Sequence, residues 1–201
     1  MRRWIILLLS ILVATKVTAA SPEMLFEHSQ TVIKAIMLSD PATGIRQAAE
    51  LERRAAAISD QRARLLQIAA ARRLQGEGYV NLGNIQRATT LINEAVDTVS
   101  KLAPRSILMG ETLLSRGRVQ AANREAAKSL KSYQIAFDVF RHIGNKRGEL
   151  ISLVYIAQLY TDARDDLTAL KYFDQASEYG IAEPLLLLSV NNNRGYTLQN
   201  L

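Results

Sequence analysis

The chain has 201 residues, 48% hydrophobic and 22% charged, with 10 Gly and 4 Pro, a globular composition that excludes disordered, collagen-like and low-complexity classes. Its formal charge is +6, but Arg2, Arg3 and Lys16 stand in the first twenty residues; without them 22 basic face 19 acidic residues, or +3, too small an excess to imply a nucleic-acid partner. Cysteine is absent, so disulfides, thiolate metal sites and a cysteine nucleophile are excluded.

The elements run in chain order from residues 1–20, which read as an export signal. Arg2 and Arg3 give the positive start, Trp4 to Ala14 an apolar run, and Val17-Thr18-Ala19 or Thr18-Ala19-Ala20 a small-residue cleavage site. As a helix that run reaches only about 17 Å of a hydrocarbon core of about 30 Å, so no stable membrane span is expected after cleavage. In a Gram-negative source, the mature chain, beginning near Ala20 or Ser21, is expected in the periplasm. Beyond the signal, apolar residues recur three and four apart, which predicts helices over 23–38, 42–58, 61–81, 85–101, 105–121, 124–142, 147–161, 166–179 and 184–200. Asp40-Pro41, Ala103-Pro104 and Glu183-Pro184 punctuate three joints, and Gly83-Asn84 and Gly144-Asn145 mark two turns.

These helices repeat. From a small residue at Gly76, Gly117 or Ala157, a second follows at +12 (Ala88, Ser129, Ala169) and a third at +19 (Ala95, Ala136, Ala176), with a bulky residue at +16 (Ile92, Tyr133, Phe173). An aromatic at +3 occurs in two units, Tyr79 and Tyr160, whereas Gln120 departs. The starts are 41 and 40 residues apart, and Gly195 opens a further unit 38 on. A small residue lets a second antiparallel helix approach closely, and its +12, +16 and +19 positions fall on one face. Each hairpin leaves an apolar face that only stacking covers.

On these residues, Leu153 to Tyr160 continuing through Ala169, Phe173 and Ala176, and Gly76 to Tyr79 through Ala88, Ile92 and Ala95, the chain resembles the tetratricopeptide (TPR) repeat family. The resemblance implies an all-α, right-handed solenoid of helical hairpins with about 40 residues per repeat against the family's usual 34 or so. Residues 21–60 are expected to form a divergent opening hairpin that caps the stack. Repeats follow over 61–101, 105–142 and 147–180, with an incomplete one over 184–201. Core positions are expected at Gly76, Tyr79, Ala88, Ala95, Gly117, Ala136, Ala157, Tyr160, Ala169, Phe173 and Ala176.

No residues carry catalytic or cofactor chemistry. His28 and His142 have no second ligand at helical spacing, whereas a zinc site needs three or four. Gly76-Glu77-Gly78 and the Gly144 to Gly148 loop follow no strand and match no phosphate cradle. Asp165 and Asp166 sit where a helix begins and suit its positive end better than an acid–base pair with Asp162 or Asp174. No serine occupies a Gly-x-Ser-x-Gly elbow.

A basic cluster, Arg72, Arg73, Arg116, Arg118 and Arg124, falls on or beside the first helices of two pairs. The TPR resemblance implies that such helices line a concave groove holding a peptide. By the offsets −3, +1 and +5 it points to Arg73, Glu77 and Asn81, to Leu114, Arg118 and Ala122, to Val154, Gln158 and Asp162, and to Asn192 and Tyr196. The partner-binding expectation is Arg73, Asn81, Arg118, Gln158, Asn192 and Tyr196, with Arg73, Arg118 and Asn192 donating to a carboxylate. At the end, Asn191 to Leu201 reads as the first helix of a hairpin without its second: the last helix is itself the cap, another protein covers it, or the chain is a piece of a longer protein.

Two functions fit. One is an exported, non-catalytic scaffold for a protein or peptide. The other rests on the signal, the long repeats and the phrase Phe140 to Gly148, which resemble the exported sensory regions of bacterial diguanylate cyclases and related sensor kinases. The sequence leaves oligomeric state open.

Overall fold

The computed structural model describes residues 22–179 and 184–201, so the expected export signal and the joint over 180–183 lie outside the described residues. Nine helices and no strand occur among them: α1 (Pro22–Ser39), α2 (Pro41–Ala56), α3 (Gln61–Asn81), α4 (Ile85–Leu102), α5 (Ile107–Ala122), α6 (Ala126–His142), α7 (Lys146–Asp162), α8 (Asp166–Glu178) and α9 (Pro184–Leu198).

One turn is used four times. Gly83, Arg124, Gly144 and Arg164 adopt φ of 74°, 61°, 70° and 64°, the left-handed conformation that ends a helix. In each case the next residue sends its N–H back over that end: Asn84 to Tyr79 O (2.9 Å), Glu125 to Gln120 O (2.8 Å), Asn145 to Phe140 O (2.9 Å) and Asp165 to Tyr160 O (3.0 Å). The same residue then caps the following helix. Asn84, Asn145 and Asp165 accept from the N–H of Arg87, Gly148 and Thr168, while the Glu125 side chain makes no cap bond. A single residue therefore closes one helix and opens the next, which forces the sharp antiparallel reversal. This turn also accounts for α6 starting at Ala126, two residues later than periodicity predicts. At α5 the delay has another cause, because Ser106 accepts from the Met109 N–H as N-cap and leaves Arg105 outside.

The helices form two layers. Each odd-numbered helix packs on the next odd-numbered one, from α1 through α9, whereas the principal contacts of the even-numbered helices run to their odd neighbours. The closer odd layer is the inner side of the stack. Three adjoining apolar clusters fill the space between the layers: Phe26 to Leu74 under the opening hairpin, Ala69 to Ile156 in the middle, and Leu150 to Val190 at the far end.

The small–bulky–small register is the one seen. A Cβ added at Gly76 would lie 2.5 Å from Ile92, and one at Gly117 would lie 2.2 Å from the Tyr133 ring. Ala88, Ala95, Ala136, Ala157, Ala169 and Ala176 are fully buried. The middle unit departs for a visible reason. Ser129, in the alanine position, donates its hydroxyl to Gly117 O at 2.9 Å, and Gln120, in the aromatic position, accepts from Ser132 at 2.7 Å. Tyr79 and Tyr160 are half-buried, and Tyr160 stacks on Tyr172 with ring centres 5.6 Å apart.

Candidate partner-binding groove

The inner layer carries a chain of charges built from three helices. On α3, Arg73 and Glu77 stand one turn apart, and the Arg73 guanidinium donates to Glu77 at 2.7 Å and to Glu111 of α5 at 2.9 Å. On α1, Lys34 donates to Glu111 at 2.8 Å, and Gln30 accepts a long bond from Arg73 at 3.4 Å. The Ser115 hydroxyl, one turn along α5 from Glu111, completes the coordination of Glu77. Arg73 is only 1% exposed, so these partners replace most of the water it has lost, and among the described residues its Nε alone is left without a hydrogen-bond partner.

The electrostatics follow from the geometry. Burial alone would raise Glu77, but Arg73, Arg118 and Lys34 with the Ser115 bond outweigh it and hold its pKa below the ordinary value. At Glu111 burial is likewise overcome, by Arg73, Lys34 and Arg147. Burial opposes the charge of Arg73 too, yet Glu111 and Glu77 outweigh it and hold the guanidinium firmly protonated.

Above this network lie two adjoining cavities. The first, of about 250 Å³, is lined by Lys34, Glu77, Glu111, Leu114, Ser115, Arg118, Arg147, Ile151 and Tyr155, among others. The second, of about 200 Å³, is lined by Val80, Arg118, Ala121, Tyr133, Tyr155, Gln158, Leu159 and Asp162. Arg118 and Tyr155 belong to both. Tyr155 is held by stacking on Tyr133 at 5.3 Å, and burial pushes the Tyr133 phenol up to about 12 and Tyr155 upward as well. Burial also raises Asp162. Arg118 donates to Asn81 at 3.1 Å, and Asn81 in turn donates to Met37 O of α1 at 3.3 Å. Among the described residues Arg118 enters no ion pair.

The structure brings Asn81, Arg118 and Gln158 together, with Glu77, Leu114 and Asp162 beside them. Arg73 is different. It lies beneath the groove, 1% exposed, with its two Nη groups donating to Glu77 and Glu111 and its Nε buried without a hydrogen-bond partner among the described residues. Asn192 and Tyr196 are exposed on α9 and line neither cavity. The basic cluster also divides: Arg72 pairs with Glu52 and Glu94, and Arg116 donates to Ser132 of α6. Sequence offsets missed Lys34, Glu111, Ser115, Arg147 and Tyr155. The Arg73/Glu77 spacing was the available signal, although one-turn pairs are usually surface pairs.

The arrangement of paired helices around small residues, with a closer inner layer, decides the architecture. The fold is a TPR-like helical solenoid. Among solved structures, the chain superposes on aspartyl phosphate phosphatase F from Bacillus subtilis with a TM-score of 0.65 and 14% identity, over 85% of this chain and 44% of that one. It thus spans less than half the length of that protein. It superposes on the Podosopora anserina kinesin light chain nearly identical TPR-like repeats with a TM-score of 0.62, over 88% of this chain and 86% of that one, at 12% identity. A point variant of those same repeats gives 0.63 over 90% and 89%, at 11%. No family description and no curated protein matches the sequence. Among the described residues no TPR-like helix is long and apolar enough to cross a membrane, and no group of three His, Cys, Asp or Glu is placed to hold a metal ion.

Proposed function

We propose that this chain is an exported, non-catalytic TPR-like scaffold that holds a partner polypeptide against the inner face of α3, α5 and α7. The observation that carries it is the sharing of Arg118 and Tyr155 by two neighbouring cavities, which makes one path across three helices instead of two isolated dents. An extended peptide is the ligand that suits such a path, because it presents side chains at regular intervals to successive repeats. Two of the groove's carboxylates support a binding role, because Glu77 and Glu111 are held ionised by ion pairs and so stand as fixed charges for a ligand to meet. Export rests on Arg2-Arg3, the apolar run and the small-residue cleavage site; in a Gram-negative source the destination is the periplasm.

The test is to immobilise the chain and its Arg118→Glu variant and compare what each captures from an envelope extract of the source cell. The variant is expected to lose the specific partner while its helical circular-dichroism signal is unchanged. Undiminished capture by the variant would remove the groove.

A further inference from the structure

We propose that the cleft between α4 and α6 on the outer side of the stack, floored by Arg116 of α5, binds a small hydroxylated monocarboxylic acid. The site is separate from the groove, because Arg116 and Arg118 stand two residues apart on α5 and so lie about 200° apart around its axis. It does not depend on the binding role proposed above.

Two successive repeats treat the same place differently. Glu52 and Asn93 are 41 positions apart, as are Gln75 and Arg116, the spacing that also separates Gly76 from Gly117. In the earlier repeat the chain fills the place itself: the Glu52 carboxylate of α2 accepts from Gln75 at 2.6 Å and from Arg72 at 2.7 Å. In the later one the amide has become a guanidinium and the carboxylate an amide. Half-buried Arg116 keeps one bond, from its Nε to the Ser132 hydroxyl at 3.1 Å, and enters no ion pair among the described residues. Its two Nη groups are therefore donors without an acceptor. Burial is the largest influence on Arg116 and lowers its pKa against the pull of the Asp97 charge, so the chain compensates this cation only in part. A bound carboxylate would stand where Glu52 stands one repeat earlier, and would give the guanidinium the charge-assisted bonds it lacks.

The cavity over Arg116 is about 240 Å³, roughly the liquid volume of eight water molecules, which suits a small acid better than a folded chain. Its charges are nearly balanced. Lys128 at the rim pairs with Glu125 at 3.1 Å, and Arg116 feels Asp97 of α4 only across a gap beyond ion-pair distance. Attraction therefore comes from the free donors of Arg116 rather than from a surplus of charge, and the two carboxylates tell against a dianion such as phosphate. The polar neighbours select the rest of the molecule. Gln120 spends its carbonyl on Ser132 at 2.7 Å and keeps its amide N–H groups to donate, whereas Asn123 donates to Glu125 at 2.8 Å and keeps its carbonyl to accept. A donor and an acceptor beside a guanidinium match a hydroxyl beside a carboxylate. Ile92 and Val119 supply apolar wall for the carbon skeleton.

Nuclear magnetic resonance on the isotopically labelled full chain tests this, with the Arg116 Nε–H and the Gln120 and Asn123 amide signals followed as racemic lactate, propionate, lactamide or inorganic phosphate is added at neutral pH. Lactate is expected to bind at least about tenfold more tightly than lactamide or phosphate, and more tightly than propionate. Arg116→Gln, which carries the side chain of the earlier repeat, is expected to abolish the response at Gln120 and Asn123, and Arg118→Gln to leave it unchanged. Asn93→Glu places the chain's own carboxylate opposite Arg116, so it is expected both to abolish lactate binding and to raise the denaturation midpoint. Lactamide binding as tightly as lactate would overturn the carboxylate, phosphate binding more tightly would overturn the monoanion, and propionate binding equally would overturn the hydroxyl. Lactate binding that survives in Arg116→Gln or in Asn93→Glu overturns the site itself. A short peptide whose free C-terminal carboxylate binds there more tightly than lactate, while its amidated form does not, would overturn the small acid in favour of a chain end.

Discussion

At the scale of single residues, two glycines in equivalent repeat positions have opposite meanings. Gly117 faces the Tyr133 ring, which is itself pinned by Tyr155, so a methyl group there cannot be accommodated by a flexible chain end. Gly117→Ala is expected to lower stability by about 1–3 kcal/mol, despite alanine's better helix propensity. Gly195 sits within α9 with nothing within 4 Å of an added Cβ. Gly195→Ala should therefore raise stability by about 0.5–1 kcal/mol. Urea titration of the two variants reads both signs, and an equal effect in the same direction would contradict the repeat register. Arg73 shows the limit of such reasoning from spacing. Its sequence neighbours suggest an ordinary surface pair with Glu77, and only the approach of Glu111, 38 positions on, makes it a buried ion.

At the scale of elements, the shared turn explains both what sequence could locate and what it misplaced. Gly83-Asn84 and Gly144-Asn145 announce the turn, since glycine takes positive φ freely and asparagine caps. Arg124-Glu125 and Arg164-Asp165 form the same turn with a residue that resists that backbone, so the glycine signal is missing and periodicity alone starts α6 too early. The strain is local and removable. Arg124→Gly and Arg164→Gly are each expected to stabilise by about 0.5–1 kcal/mol, because the backbone stays where it is and the left-handed penalty is lifted. Thermal unfolding monitored at the helical signal decides this, and a lowered midpoint in both variants would mean that the arginine side chains outweigh the backbone cost.

At the scale of the whole molecule, the fold was legible because it depends on local repetition, and the groove was not because it depends on which helices approach one another. Offsets within a repeat pointed to Asn81, Arg118 and Gln158, which lie near one another on the inner side of the stack. They could not reveal Lys34, which belongs to the divergent opening hairpin and has no counterpart in the other units. The ion network ties that hairpin to the stack, and its pH dependence has a definite sign. Glu77 and Glu111 titrate below their ordinary value of 4.5 when folded, so their contribution is present in full above that pH and is lost as pH falls through the depressed values. The denaturation midpoint is expected to fall as pH is lowered below about 4.5, and Glu111→Gln to flatten that fall. A profile equally steep in the variant would separate the network from acid stability.

Stacked repeats open from their ends, since a terminal unit has a neighbour on one side only. Here α1, the first helix among the described residues, supplies Lys34, Gln30 and the Met37 carbonyl to the charges and amides around the groove. The groove is therefore complete only while α1 is docked, and its lifetime is set by the fraying of the first hairpin. A ligand held there would slow amide exchange in α1 more than in α8, so the first described hairpin would act as the clasp of the site.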